Sequence, residues 1–139
     1  MGQLLTTTLK SGAIDSSGDA TAFTNEPVRG IIRAVKVIYS GTHDMTVNLY
    51  EMNPEDPDDI ADALQEILDL GASGATPSAD NNVYYPHRSA EDYTGTNLVY
   101  ASAGEIVPVP FVVNGSIGID VNSGTEGESV KVEILVEAF

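Results

Sequence analysis

Apolar residues recur at every second position in three separate parts of the chain. Met45, Val47 and Leu49 alternate with Thr46, Asn48 and Tyr50, and Ile117, Ile119 and Val121 alternate with Ser116, Gly118 and Asp120. Val130, Val132, Ile134 and Val136 alternate with Lys131, Glu133 and Glu137, with Leu135 the only apolar intruder. A period of two with one polar face predicts antiparallel strands packed on one side. The longest β-branched run, 28–40, places apolar residues on both parities. That predicts either a central strand covered on both faces or one bent at Gly30.

Shorter segments extend the pattern. Residues 4–9 read as a Thr-rich strand, and Ser16-Ser17-Gly18-Asp19 is a turn signal before a strand at 20–23. Segments 83–85, 98–100 and 108–113 are further strands, the last suited to an edge because Pro108 and Pro110 cannot donate to a ladder. One segment differs. After Asp56-Pro57-Asp58-Asp59, the residues Ile60, Leu64, Ile67 and Leu68 fall at i, i+4, i+7 and i+8, with Asp56 able to cap and Gly71 able to terminate. This predicts a one-sided helix of about three turns; the competing reading makes 66–70 a strand. From Gly71 to Asn82 the composition is that of a flexible loop. The expected fold is mainly β: an antiparallel β-sandwich of jelly-roll type with about eight strands and one short helical insertion. It forms a single domain over 1–139, with the acidic insertion and the loop inside 53–82.

Charge sharpens the picture. Twenty-one acidic residues against six basic ones give a net charge of −15, which disfavours nucleic acid and anionic membranes as partners. No apolar run is long enough to span a bilayer, and the first residues lack the charged and apolar regions of a signal peptide. Acids are spread through every loop, and Lys and Arg are equally rare. Either the surface is an ordinary acidic one, or it is adapted to molar salt, where the Debye length falls to about 3 Å and self-repulsion fades. With no cysteine, disulfides, thiolate metal sites and thiol catalysis are excluded.

Candidate chemistry is sparse. His43 (beside Asp44) and His87 are the only imidazoles, and their spacing supports no zinc site without carboxylates. Asp56, Asp58 and Asp59 offer clustered oxygens to a hard cation, but they lack calcium-loop spacing and are better explained by capping and solubility. Asp120, Glu126, Glu128 and Glu133 read as surface charges. Nothing singles out a carboxylate pair for glycoside hydrolysis, and no phosphate-binding or nucleophile-elbow motif appears. No catalytic residue, cofactor or small-molecule ligand is therefore assigned. The stretch Asn81-Asn82-Val83-Tyr84-Tyr85-Pro86-His87-Arg88-Ser89-Ala90-Glu91-Asp92-Tyr93 concentrates polar aromatics. It reads as a strand and turn, with Tyr84 and Tyr85 on opposite faces and Arg88 paired locally with Glu91 or Asp92.

Several of these pieces together resemble a family of small structural proteins of tailed bacteriophages and prophages. The pieces are the Thr6-Thr7-Thr8-Leu9 strand, the 16–23 turn and strand, and the long strand from Gly30 to Tyr39. Tyr84-Tyr85-Pro86-His87-Arg88 with Asp92, Thr94 and Gly95 follows, and then the 110–121, 124–127 and 130–136 segments. The acidic 54–62 insertion departs from the family, whose members carry an Ile-Leu-rich strand before the aromatic-Pro step. With its acidity, the chain resembles the version of a halophilic archaeal tailed virus. The resemblance implies a non-enzymatic virion protein, most directly a capsid decoration protein on the outer head surface, assembled in the host cytoplasm. Its partners would be the major capsid protein and copies of itself, as in a trimer. A tail or head–tail connector subunit and a glycan-binding module, with Tyr84, Tyr85, Tyr93 and Tyr100 as stacking faces, are the alternatives. Leu4, Leu5, Tyr84, Tyr85 and Phe139 are the candidate interface residues.

Overall fold

The computed structural model describes residues 2–41, 45–70, 82–91, 93–97, 99–100 and 105–139. Its strands, in chain order, are β1 (Leu4–Lys10), β2 (Ala20–Phe23), β3 (Val28–Tyr39), β4 (Thr46–Glu51), β5 (Gln65–Leu70), β6 (Asn82–Tyr84), β7 (His87–Ser89), β8 (Val99–Tyr100), β9 (Glu105–Ile106), β10 (Pro108–Pro110), β11 (Val112–Gly115), β12 (Ile117–Asn122) and β13 (Val130–Ala138). All the pairings are antiparallel. One sheet runs β1-β13-β3-β11, and β6 shares with β11 the edge of β3 that faces away from β13. The other runs β2-β12-β4-β5. Among the described residues nine strands thus make the two sheets; setting aside β6, which like β7–β10 lies in the long connection from β5 to β11, leaves eight. Numbered among those eight alone, the sheets read 1-8-3-6 and 2-7-4-5, which is the strand order of a jelly roll.

The alternating segments fold as their pattern requires. Along β13, Val130, Val132, Ile134 and Val136 are buried while the residues between them are half-exposed. Along β4 and just before it, Met45, Val47 and Leu49 are buried. Together with Ile32, Val35, Val37, Val113, Ile117, Ile119 and Val121 they form the single core between the sheets, each worth about 1.5–3 kcal/mol relative to exposure. The turn before β2 is built by Asp15, whose Oδ1 accepts from the amides of Ser17 (2.9 Å) and Asp19 (3.0 Å). Gly18 supplies the positive φ of 87° that this turn needs.

Both irregular segments owe their irregularity to a β-bulge. In β3 the inward residues are Val28, Gly30 and Ile32, then Val35, Val37 and Tyr39. The register against β13 pairs Ile32 with Val136 and Ala34 with Leu135, leaving Arg33 without an opposite residue. The extra residue flips the parity. β3 is therefore a central strand with one buried face, and its two-parity pattern comes from the bulge at Arg33 rather than from cover on both faces or from a bend at Gly30 alone.

The expected three-turn helix is corrected by the same device. Only Ile60–Asp62 is helical, a single 3-10 turn capped by Asp59, whose Oδ1 accepts from the Ala61 amide at 3.0 Å. Residues 65–70 form β5, as in the competing strand reading. Between β4 and β5 the register pairs Leu49 with Leu68 but Tyr50 with Glu66, so Ile67 is extra. Ile67 and Leu70 are consequently both buried at a spacing of three, which imitates a helical stripe. Leu64, on the supposed stripe, is 58% exposed. Most of the 71–82 loop, and His43-Asp44, lie outside the described residues.

Candidate functional site

Among the described residues Glu51 is the one buried carboxylate, at 8% exposure. It ends β4 on the inward parity, after Met45, Val47 and Leu49. Its Oε1 accepts from Gln65 Nε2 at 2.6 Å and its Oε2 from the Asn114 amide at 3.1 Å. The cost of burying this group is thus offset by two donors from two neighbouring strands. Glu51 borders an open cleft of about 410 Å³ with Leu64, Glu66, Arg88, Glu91 and Phe111. Both of its oxygens are committed to structural bonds, so the arrangement clamps the two sheets at one end. The sequence carried a signal for it: Glu51 continues the apolar phase of the 45–49 alternation.

The outer face of the β2-β12-β4-β5 sheet is acidic and polar. Asn48 Nδ2 donates to Asp69 Oδ1 at 2.9 Å and to Glu66 Oε2 at 3.4 Å, and Asn122 Nδ2 donates to Asp120 Oδ2 at 3.1 Å. Desolvation pushes the Tyr50 hydroxyl up to about 12, helped by its hydrogen bond to Glu66 and by the charges of Glu66, Asp120 and Asp69.

The acidic insertion is arranged by its own turns. Asn53 bridges to Asp56, its Nδ2 donates to Asp62 Oδ2 at 3.1 Å, and its Oδ1 accepts from the Glu55 amide at 3.0 Å. Local desolvation, then the charges of Asp59, Asp62 and Asp58, raise the Asp56 carboxyl above the ordinary range. Asp56, Asp58 and Asp59 are not brought together as a ligand set, and no group of three or more His or acidic side chains among the described residues is placed to hold a metal ion.

The candidate interface residues separate into two groups. Leu4 (59% exposed) and Leu5 (45%) open β1, and Phe139 (80%) follows β13. These ends run side by side, since the Ala138 amide donates to the Gln3 carbonyl at 2.8 Å. Tyr84 and Tyr85 lie elsewhere, where β6 pairs with 35–37 of β3. Tyr84 is half-buried against the core and Tyr85 is 71% exposed, the division expected of them. His87 is exposed, its Nδ1 3.4 Å from the Tyr85 carbonyl, and Arg88 Nη2 pairs with Glu91 Oε1 at 3.4 Å. Of the proposed stacking tyrosines, Tyr93 is fully exposed.

Sequence reasoning missed where the cations go. Lys10, Arg29, Arg33, Lys36 and Lys131 all lie on strands of the β1-β13-β3-β11 sheet, at positions whose parity points away from the core or, for Arg33, at the bulge. Arg33 Nη2 holds Glu137 Oε1 at 3.1 Å, and Lys131 Nζ holds Glu133 Oε1 at 3.6 Å. Parity marks these residues as outward, but only the strand register gathers them on one sheet. Compared with known proteins, the chain matches no family model and no curated sequence.

Proposed function

We propose that the chain is a non-enzymatic structural protein of a tailed-virus particle, specifically a decoration protein bound to the outer surface of the head. The observation that carries this is the jelly-roll order of the two sheets, an architecture that virion proteins share with lectins and cupins. The segmental resemblance to small phage structural proteins narrows that choice, and the net charge of −15 suits a virus of a halophilic archaeon. The chemistry-bearing side chains fit a binding role: Glu51 is engaged in structural bonds, His87 is exposed, and Asp59 and Asp62 of the insertion accept local hydrogen bonds. Purified particles of a virus that encodes the chain provide the test. The polypeptide should be present at hundreds of copies per particle. A dozen or fewer would assign it to a tail or connector ring, and absence would end the structural assignment.

A glycan-binding module is the second reading, favoured by the exposed rings of Tyr85 and Tyr93. Calorimetry or a glycan array in molar salt separates it: a sugar bound through these rings would move the protein out of the purely structural class.

A further inference from the structure

We infer that the outer face of the β1-β13-β3-β11 sheet is the docking face of this protein, and that its occupant is a compact acidic surface on another protein. The inference deepens the decoration reading, on which it rests for the identity of that protein. These four strands hold 32 residues, less than a quarter of the chain, yet carry five of its six cations. Against them stand only two carboxylates, Glu133 and Glu137, so the strands carry a local charge of +3. The remaining nineteen carboxylates face Arg88 alone, leaving the rest of the chain at −18.

Glu137 holds Arg33, and Glu133 holds Lys131 and faces Lys36 in the β13–β3 register, but one placement of these cations works against the free molecule. Lys10 sits directly opposite Lys131 in the β1–β13 register, and like charges at facing positions destabilise a sheet. An anionic partner turns that repulsion into attraction. Aliphatic side chains are interleaved with the cations: Leu4 and Val112 are more than half exposed, and Ile31, Ile38 and Leu135 are half-buried. The register aligns Leu4, Glu137, Ile31 and Val112 across all four strands. Apolar contacts mixed with a few cations are the make-up of a protein interface.

The size and surroundings of the face select the occupant. Four strands about 4.8 Å apart and averaging about eight residues cover roughly 500 Å², well below the roughly 800 Å² per partner of a stable complex. A second free copy held by this face alone would not stay bound. An array of acidic sites would hold many copies, because avidity multiplies weak contacts. Nucleic acid fits poorly: its charge continues beyond the patch and meets the −18 of the rest, and no aromatic ring stands on these strands' outward positions to stack a base.

Fluorescence anisotropy with labelled octaglutamate as the probe tests the face on the intact chain. At about 0.15 M salt the Debye length is about 8 Å, so the distant acids are screened while direct contacts persist. The wild type should bind, and Lys36→Glu with Lys131→Glu should weaken binding at least about fivefold. Should that pair fail to fold by circular dichroism, Lys36→Gln with Lys131→Gln serves, with a smaller loss in the same direction. Glu66→Gln, on the opposite sheet, should leave binding unchanged or tighter. An octaglutamate that does not bind, or binds the folded variants equally, overturns the face; a 12-base-pair DNA duplex binding more tightly than octaglutamate overturns the acidic-protein assignment. Lysine acetylation on virus particles separates this from the decoration reading. A chain present on particles with Lys10, Lys36 and Lys131 still reactive overturns the face alone, whereas a chain absent from particles overturns the decoration reading alone.

Discussion

The carboxylate of Glu51, on β4, accepts a hydrogen bond at 3.1 Å from the main-chain amide of Asn114, on β11, so one side chain ties the two sheets together. Removing it strands the Asn114 amide and leaves Gln65 Nε2 with only its longer bond to the Val112 carbonyl, at 3.4 Å. Glu51→Ala should cost about 1–3 kcal/mol in urea unfolding. Glu51→Gln should cost a similar amount, because its NH2 would face a donor. A Glu51→Ala midpoint equal to wild type would show the clamp to be idle.

Deletions at the β3 bulge should separate sharply. Removing Arg33 erases the bulge and leaves Ile32 and Val35 on one parity, so the variant should fold, losing the Arg33–Glu137 pair of about 0–1 kcal/mol and a little bulge geometry. Removing Lys36, three residues on, turns Val37 and Tyr39 to the solvent side and should abolish cooperative unfolding. Near-identical melting of the two deletions would contradict the register.

Gly30 is locked by its neighbours. Its φ is 151°, and a Cβ there would collide with the Glu137 carbonyl oxygen. Gly30→Ala should therefore destabilise by about 2–4 kcal/mol, from backbone strain and a displaced strand together. Thermal melts of this variant beside Gly127→Ala, which meets no atom within 4 Å, would distinguish the clash from backbone strain alone.

Alkaline pH should weaken the fold through two tyrosines. Burial, then the neighbouring Tyr84, pushes Tyr39 up to about 12, and Tyr50 also stands at about 12. A pKa raised above the unfolded value of about 10 means that the native state holds its proton more tightly. The stabilisation is complete below pH 10 and disappears as pH rises towards 12. The melting temperature should fall across that window, and Tyr39→Phe should flatten part of the fall. A flat wild-type profile from pH 10 to 12 would refute the assignment.

Salt should stabilise the molecule. Most of the −15 charge is self-repulsive, and raising KCl from about 0.1 M to molar shrinks the Debye length from about 10 Å to about 3 Å. The melting temperature should rise by at least about 4 °C, the equivalent of about 1 kcal/mol. A melting temperature that falls or stays level would argue against adaptation to high salt.

What the sequence disclosed, and what it hid, follows from parity. Strands with one continuous phase, such as β12 and β13, were legible because every second residue meets the core. Segments with a phase break were not. At Arg33 and Ile67 one inserted residue breaks the period of two, and at Ile67 the resulting spacing of three matched a helix. Bulges depend on the partner strand, which local pattern does not contain. Residue type alone conceals Glu51, because charge ordinarily signals exposure, although its position in the alternation places it inside. The candidate face stayed hidden for a related reason: the cations are far apart in the chain and gather only through the β1–β13–β3 register.

The jelly-roll order also governs time. Among the described residues β1 pairs only with β13, and the two pair residues about 120 positions apart, such as Leu9 with Val132. At about 5–20 residues per second, a ribosome delivers that partner roughly 6–24 s after β1 itself. Through that interval β1, with its Thr-rich stretch and exposed leucines, has no native ladder to join. Closing this sheet must therefore wait for β13, and the nascent chain must keep β1 from pairing elsewhere until β13 emerges.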